Sequence, residues 1–189
     1  VSGLNPAKFD STINGKKTAL YVLKNSNGME VCFTNFGARV VSLVVPDKDG
    51  KPTDVVLGYD NIAQYADIEN SPSDFGASIG RYANRINQGK ITVDGNEIQL
   101  PQNNFGHSLH GGPTGWQYQI YDVEQPNDST IKFTIVSPDG DNQFPGTVTA
   151  VTTYTVTSDN TLDITWEATT DKETIINQTN HSYFNLNGD

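Results

Sequence analysis

The chain has 189 residues, enough for one ordinary domain with its own core. Its 12 basic and 22 acidic residues give a net charge of −10, a field that repels phosphate backbones and anionic lipid and so argues against nucleic-acid and membrane partners. Valine and isoleucine total 28 and threonine 20, against 18 for alanine plus leucine, which excludes an α-helical bundle and favours an all-β fold.

In chain order, residues 19–24, 29–34 and 38–45 read as strands, with Asn25 to Gly28 as a hairpin connection. Cys32 is the only cysteine, so no intrachain disulfide and no thiolate cluster can form. Between Val31 and Phe33 it reads as a packed thiol. Asp47-Lys48-Asp49-Gly50 is a turn, and the apolar run 40–45 is far too short to span a bilayer. Ile62, Tyr65, Ala66 and Glu69 recur at helical spacing, predicting one short helix over 60–69 with Asp60 as its N-cap. Residues 89–93 and 97–100 flank Asp94-Gly95-Asn96, a hairpin signal.

The second half alternates. Ile131, Phe133 and Ile135 interleave with polar residues, as do Val148, Ala150, Thr152, Tyr154 and Val156, and then Leu162, Ile164, Trp166 and Ala168. Period-2 alternation puts one face in a core and the other in water. Long antiparallel strands in series predict a large β-sandwich, with the apolar residues of all three runs buried. The last stretch, 174–186, reads as a strand with a polar interior, better suited to lining a cleft than an apolar core.

Three histidines could carry proton chemistry: His107, His110 and His181. The first two sit in Gly106-His107-Ser108-Leu109-His110-Gly111-Gly112, where glycines permit sharp turns and close approach of a ligand. A three-histidine zinc site is an alternative, but in an extended His-x-x-His segment the two side chains point to opposite faces. Gly80-Arg81-Tyr82-Ala83-Asn84-Arg85-Ile86 supplies forked donors suited to sugar hydroxyls, or else forms a plain solvated loop.

These segments together carry a resemblance. Asn177-Gln178-Thr179-Asn180-His181-Ser182-Tyr183-Phe184-Asn185-Leu186 resembles the signature of the aldose 1-epimerases, also called galactose mutarotases. Residues 80–86 and Ser108-Leu109-His110-Gly111-Gly112 resemble two further motifs of that family, in the same order, and Asn35-Phe36-Gly37-Ala38 with Leu57-Gly58-Tyr59 resembles its N-terminal strands. The resemblance implies a large antiparallel β-sandwich of the galactose-mutarotase type, acting without cofactor or metal on a monosaccharide such as galactose or glucose. It implies His181 as general acid toward the ring oxygen and His110 as a hydrogen-bond partner of the ring oxygen or a nearby hydroxyl. Asn84, Arg85 and Tyr183 would bind or line the sugar, while His107 is expected to be structural and Arg81 a support residue.

Family members continue beyond this point and carry there a glutamate general base and a sugar-binding aspartate. Residues 1–189 are therefore expected to be the N-terminal portion of one epimerase domain, with a C-terminal segment or another copy packing on an exposed sheet. A sugar-binding module that has lost the chemistry is the alternative function. A glycoside hydrolase or lyase would need paired inward carboxylates, and no Asp or Glu is expected to sit beside the histidine motifs. The start at Val1 and the single cysteine suit cytoplasm and periplasm alike.

Overall fold

A computed structural model describes residues 1–188. The chain opens with a short 3-10 turn at Pro6–Phe9, followed by β1 (Ser11–Ile13) and β2 (Lys16–Thr18). β3 (Leu20–Lys24), β4 (Glu30–Thr34), β5 (Arg39–Pro46) and β6 (Pro52–Asp54) then form a four-stranded antiparallel sheet in that order. The expected hairpin between β3 and β4 is made by Asn25, whose side-chain oxygen accepts from the N–H groups of Asn27 and Met29.

The helix is shorter than the sequence predicts. α1 covers Ile62–Ala66, and its N-cap is Asn61, not Asp60: the Asn61 carboxamide oxygen accepts from the Gln64 N–H at 2.9 Å. The chain continues through β7 (Ser78–Ile79), β8 (Arg85–Ile86), the hairpin β9 (Lys90–Val93) and β10 (Asn96–Gln99), and β11 (Ser108–Leu109). β12 (Asp122–Glu124), β13 (Thr130–Ser137), β14 (Val148–Val156) and β15 (Leu162–Thr170) make a second four-stranded antiparallel sheet. β16 (Thr179–Asn180) closes the described chain.

The two large sheets pack face to face, giving the predicted all-β sandwich. Phe33 of β4 meets Phe133 of β13 at 6.0 Å and Tyr154 of β14 at 4.6 Å between ring centroids. The Tyr154 hydroxyl crosses the core to donate to the Ala38 carbonyl at 2.7 Å. β5 is buried on both faces over its first six residues, which explains an apolar run interrupted only by Ser42. Val40 and Leu43 enter the sandwich core, while Val41 enters a second cluster with Phe9, Phe36, Ile62, Tyr65 and Ile120. Cys32 is buried as expected, and burial pushes its thiol up to about 11.

Two expectations need correction. On β13 and β14 the alternating residues are buried, but on β15 only Leu162 and Ile164 are half-buried, and Trp166 and Ala168 are exposed. Among the described residues β15 pairs only with β14 and is the outer strand of its sheet; Leu162 and Ile164 still pack against the core, while Trp166, further along the same face, is 36% exposed. The segment 174–186 is not one strand. It pairs only at β16, with isolated bridges at Asn177 and Phe184, because its side chains bond to its own backbone and to neighbouring loops.

Candidate active site

Three backbone segments are stitched together at one end of the sandwich. β16 pairs with β7, setting Thr179 opposite Ile79 and Asn180 opposite Ser78, and the next residue, His181, donates its N–H to the Ala77 carbonyl at 2.8 Å. β11 pairs with β8, setting Leu109 opposite Arg85, so that the His110 N–H reaches the Asn84 carbonyl at 3.0 Å. Asn177 and Ala83 complete the stitching: Asn177 N–H donates to the Arg81 carbonyl, and Ala83 N–H to that of Asn177.

The backbone at the site is unusual. Asn84 (φ 69°) and His110 (φ 50°) both occupy the left-handed region, and Gly111 and Gly112 follow at 82° and 100°. For residues other than glycine that conformation costs about 1–3 kcal/mol and persists only where surroundings impose it. Here the imposition is reciprocal. Asn84 N–H donates to His110 Nδ1 at 2.9 Å while His110 N–H donates back to the Asn84 carbonyl.

The result is an open cleft of about 510 Å³ lined by Ala83, Asn84, His110, Tyr183 and the polar run 177–182. The His110 and His181 rings stand perpendicular with centroids 5.0 Å apart, and Tyr183 lies 5.1 Å from His181 on its other side. Phe75 in turn packs edge-on against Tyr183 at 4.9 Å. Four of the five residues expected at the site thus line one surface. The fifth, Arg85, does not. Its guanidinium is held by the Asn104 carboxamide at 3.0 Å, and it reaches the histidines only through its charge.

Asn180 shapes the loop. Its amide donates to the Gly76 carbonyl at 3.0 Å, and its oxygen accepts from the Ser182 N–H, turning His181 toward the cleft. Arg81 is the expected support, buried beneath the floor with its guanidinium on backbone carbonyls. His107 is apart, its Nδ1 accepting from the Gln88 N–H in a neighbouring turn.

The structure adds a residue that no motif contains. The Asp74 carboxylate stands 3.9 Å from His110 Nε2, which corrects the reading that no acidic residue adjoins the histidines. Arg39 brings it there. Fully buried, Arg39 donates to the carbonyls of Ser73, Phe75 and Gln117, tying the Asp74 loop to the strand beneath and to the loop after His110. The signal in the sequence is a lone arginine at the head of an apolar strand, Arg39-Val40-Val41, which needs buried acceptors.

Electrostatics follow from this packing. Burial holds the His110 imidazole below its ordinary value; Asp74 pulls it back up, while His181 and Arg85 push it further down. Because Nδ1 accepts a hydrogen bond, the neutral ring carries its proton on Nε2. His110 therefore offers a donor to the cleft. Asp74, His110 and His181 are metal-ligating types with ligand atoms within 4.8 Å of one another. A protonated Nε2 has no lone pair for a cation, so this set does not fit a metal, and the three-histidine zinc set is not assembled because His107 is elsewhere.

The sequence profile of the family described as aldose 1-epimerase matches residues 19–189. The chain belongs to the aldose 1-epimerase family. It is 39% identical over 176 residues to the aldose 1-epimerase of Escherichia coli K12, covering 93% of this chain and 50% of that protein. It is 39% identical over 163 residues to the galactose mutarotase of Rattus norvegicus, covering 86% and 46%. An aldose-epimerase homologue from C. elegans superposes with a TM-score of 0.85 at 34% identity, over 91% of this chain and 52% of that one. The chain thus spans about half the length of the aldose 1-epimerases it matches.

Proposed function

We propose that this chain carries the acid side of a mutarotase site, one that interconverts the α and β anomers of a free aldose such as galactose or glucose. The observation that supports this best is the histidine pair: two imidazoles 5.0 Å apart in an open polar cleft, one of them fixed as a donor by a backbone N–H.

Mutarotation needs little else. The ring oxygen gains a proton as the C1 hydroxyl loses one, the C1–O5 bond opens to the aldehyde, C1–C2 rotates, and closure occurs on the other face. General acid–base catalysis suffices, and no cofactor is required. In this reading His181 delivers the proton to the ring oxygen. His110 donates to an oxygen beside it, Asn84 and Tyr183 line the sugar, and Arg85 acts from the rim.

The proton acceptor at the C1 hydroxyl is assigned to a segment outside the described residues, packing beside β15. Three acidic residues of the second half are engaged elsewhere. Asp139 accepts from Gly146 N–H and pairs with Lys172, Asp141 accepts from the Ser137 hydroxyl, and Glu173 accepts from Asp94 N–H. Residues 1–189 are then the N-terminal portion of a single epimerase domain.

Polarimetry of freshly dissolved α-galactose or α-glucose tests the reading. Protein expressed from the complete reading frame should equilibrate the anomers rapidly, and His181→Asn should remove most of that rate while the fold survives. The 189-residue chain alone should be slower by about 10²–10⁴-fold for want of the base. Sugar binding without acceleration over buffer would leave a sugar-binding module instead.

A further inference from the structure

Asp74 lies outside every motif and lines, with His110, a smaller pocket of about 230 Å³ that shares His110 with the cleft; there its Oδ2 is 3.9 Å from His110 Nε2, the ring nitrogen that the Asn84 N–H leaves free. That gap is too long for a direct hydrogen bond. It is spanned by a single oxygen making two hydrogen bonds of about 2.8 Å at an angle of about 90°. The chemistry of that oxygen is dictated from both sides. His110 Nε2 can only donate, because Nδ1 is occupied by the Asn84 N–H. An ionised carboxylate can only accept. The bridging group must accept and donate at once, which a hydroxyl does and a ring ether oxygen or a carbonyl does not.

The carboxylate is also held for this purpose. The loop is pinned on both sides of Asp74 where Arg39 binds the Ser73 and Phe75 carbonyls, and with Oδ1 fully buried the oxygen that a ligand can reach is Oδ2, beside His110. An acceptor held there without a direct donor is open to a ligand donor.

We propose that Asp74 and His110 form a clamp for one substrate hydroxyl, an assignment that rests on reading the cleft as an aldose site. If His181 serves the ring oxygen, the clamp, one imidazole away, grips a hydroxyl close to it. Two carbons flank the ring oxygen. The hydroxyl on C1 is the reacting one, so the geometry points to the hydroxymethyl group on C5, the 6-hydroxyl of an aldohexose. The clamp therefore selects hexoses with a free 6-hydroxyl. It disfavours pentoses and 6-deoxy sugars, which lack the bridge, and 6-phosphates, which bring a second anion to the carboxylate.

The test compares D-galactose with its 6-deoxy analogue, D-fucose, in protein expressed from the complete reading frame. Wild type should favour galactose by about 10- to 100-fold in kcat/KM, the range for one hydrogen bond to a charged group. Asp74→Ala should abolish that preference by slowing galactose about 10- to 100-fold more than fucose, since fucose never made the bond. Asp74→Asn keeps an acceptor oxygen and should retain part of the preference. The ratio of two sugars in one preparation cancels any loss of folded protein. A galactose-to-fucose ratio unchanged by Asp74→Ala overturns the clamp while leaving the epimerase reading intact. A wild type inactive on every aldose overturns that reading, and the clamp with it.

Discussion

Arg81→Lys should loosen the floor of the cleft without touching its lining. The wild-type side chain is 1% exposed, and its five N–H groups serve six acceptors. Nε donates to Ser137 Oγ. Nη1 donates to the Pro145 carbonyl and Thr174 Oγ1, and Nη2 to the carbonyls of Ser137, Pro138 and Gly146. These bonds fasten the end of β13, the start of β14 and the approach to His181 around one guanidinium. Burial lowers its affinity for the proton, and Asp141, Asp139 and Asp171 offset that loss. A lysine ammonium has three donors on one nitrogen, so at least three acceptors lose their partner. At about 1 kcal/mol each, the loss is about 3 kcal/mol. For a chain of this length that lowers the thermal midpoint by about 6–12 °C. Circular dichroism melts and urea titrations would measure it. Hydrogen exchange should quicken first at the Asn177 amide, which bonds the Arg81 carbonyl. A midpoint within 2 °C of wild type would refute the reasoning, because it would mean water replaces the guanidinium at little cost.

Other perturbations probe separate features. In Gly80→Ala the new methyl would fall inside the indole of buried Trp116, so the urea midpoint should drop by the equivalent of about 3 kcal/mol, whereas Gly95→Ala, with open space around it and only a positive φ to strain, should lose about 1 kcal/mol. Cys32, buried and with its thiol pushed up to about 11, should react with an aromatic disulfide at pH 8 only as fast as the protein unfolds; immediate stoichiometric labelling of native protein would contradict its burial. His110 should titrate below the ordinary histidine value in NMR, and Asp74→Asn should move it lower still by removing the partner that raises it. Because the folded state resists protonating this ring, the unfolded state binds more protons between the ordinary histidine value and the lower folded one. The His110 contribution to stability should therefore decline as pH falls through that window, and a higher His110 midpoint in Asp74→Asn would count against the assigned geometry.

What the sequence made legible depends on how far each feature reaches. β13 and β14 are read correctly from their alternation because both are flanked by strands and face the other sheet. β15 has the same alternation, yet Trp166 and Ala168 are exposed, because the pattern records which side is apolar and not whether anything lies upon it. The apolar run in β5 hides its two faces, since Val40, Val41 and Leu43 are all buried, but in different clusters. The α1 boundary shifted by one cap because Asp60 and Asn61 are both good cap residues and only the fold decides which side chain reaches Gln64.

The site divides the same way, and the division says where its specificity is written. His110 and His181 are legible because proton chemistry needs histidine and the glycines and amides beside them mark a tight, polar turn. Arg85 is expected at the sugar from the family resemblance and its forked donors, but adjacent residues on a chain entering a strand leave on different sides, and Arg85 Nε donates to Asn104. Asp74 reaches His110 through no local pattern. It arrives because Arg39, thirty-five positions earlier, needs carbonyls for its buried guanidinium and takes them from Ser73 and Phe75 on either side of it. The reacting groups thus lie in compact motifs, while the carboxylate beside them is set by a long-range packing demand. The coupling runs both ways: burial disfavours the charge on Arg39 and the Asp74 carboxylate supports it, so the acid beside His110 and the cation beneath the loop are set by one packing demand.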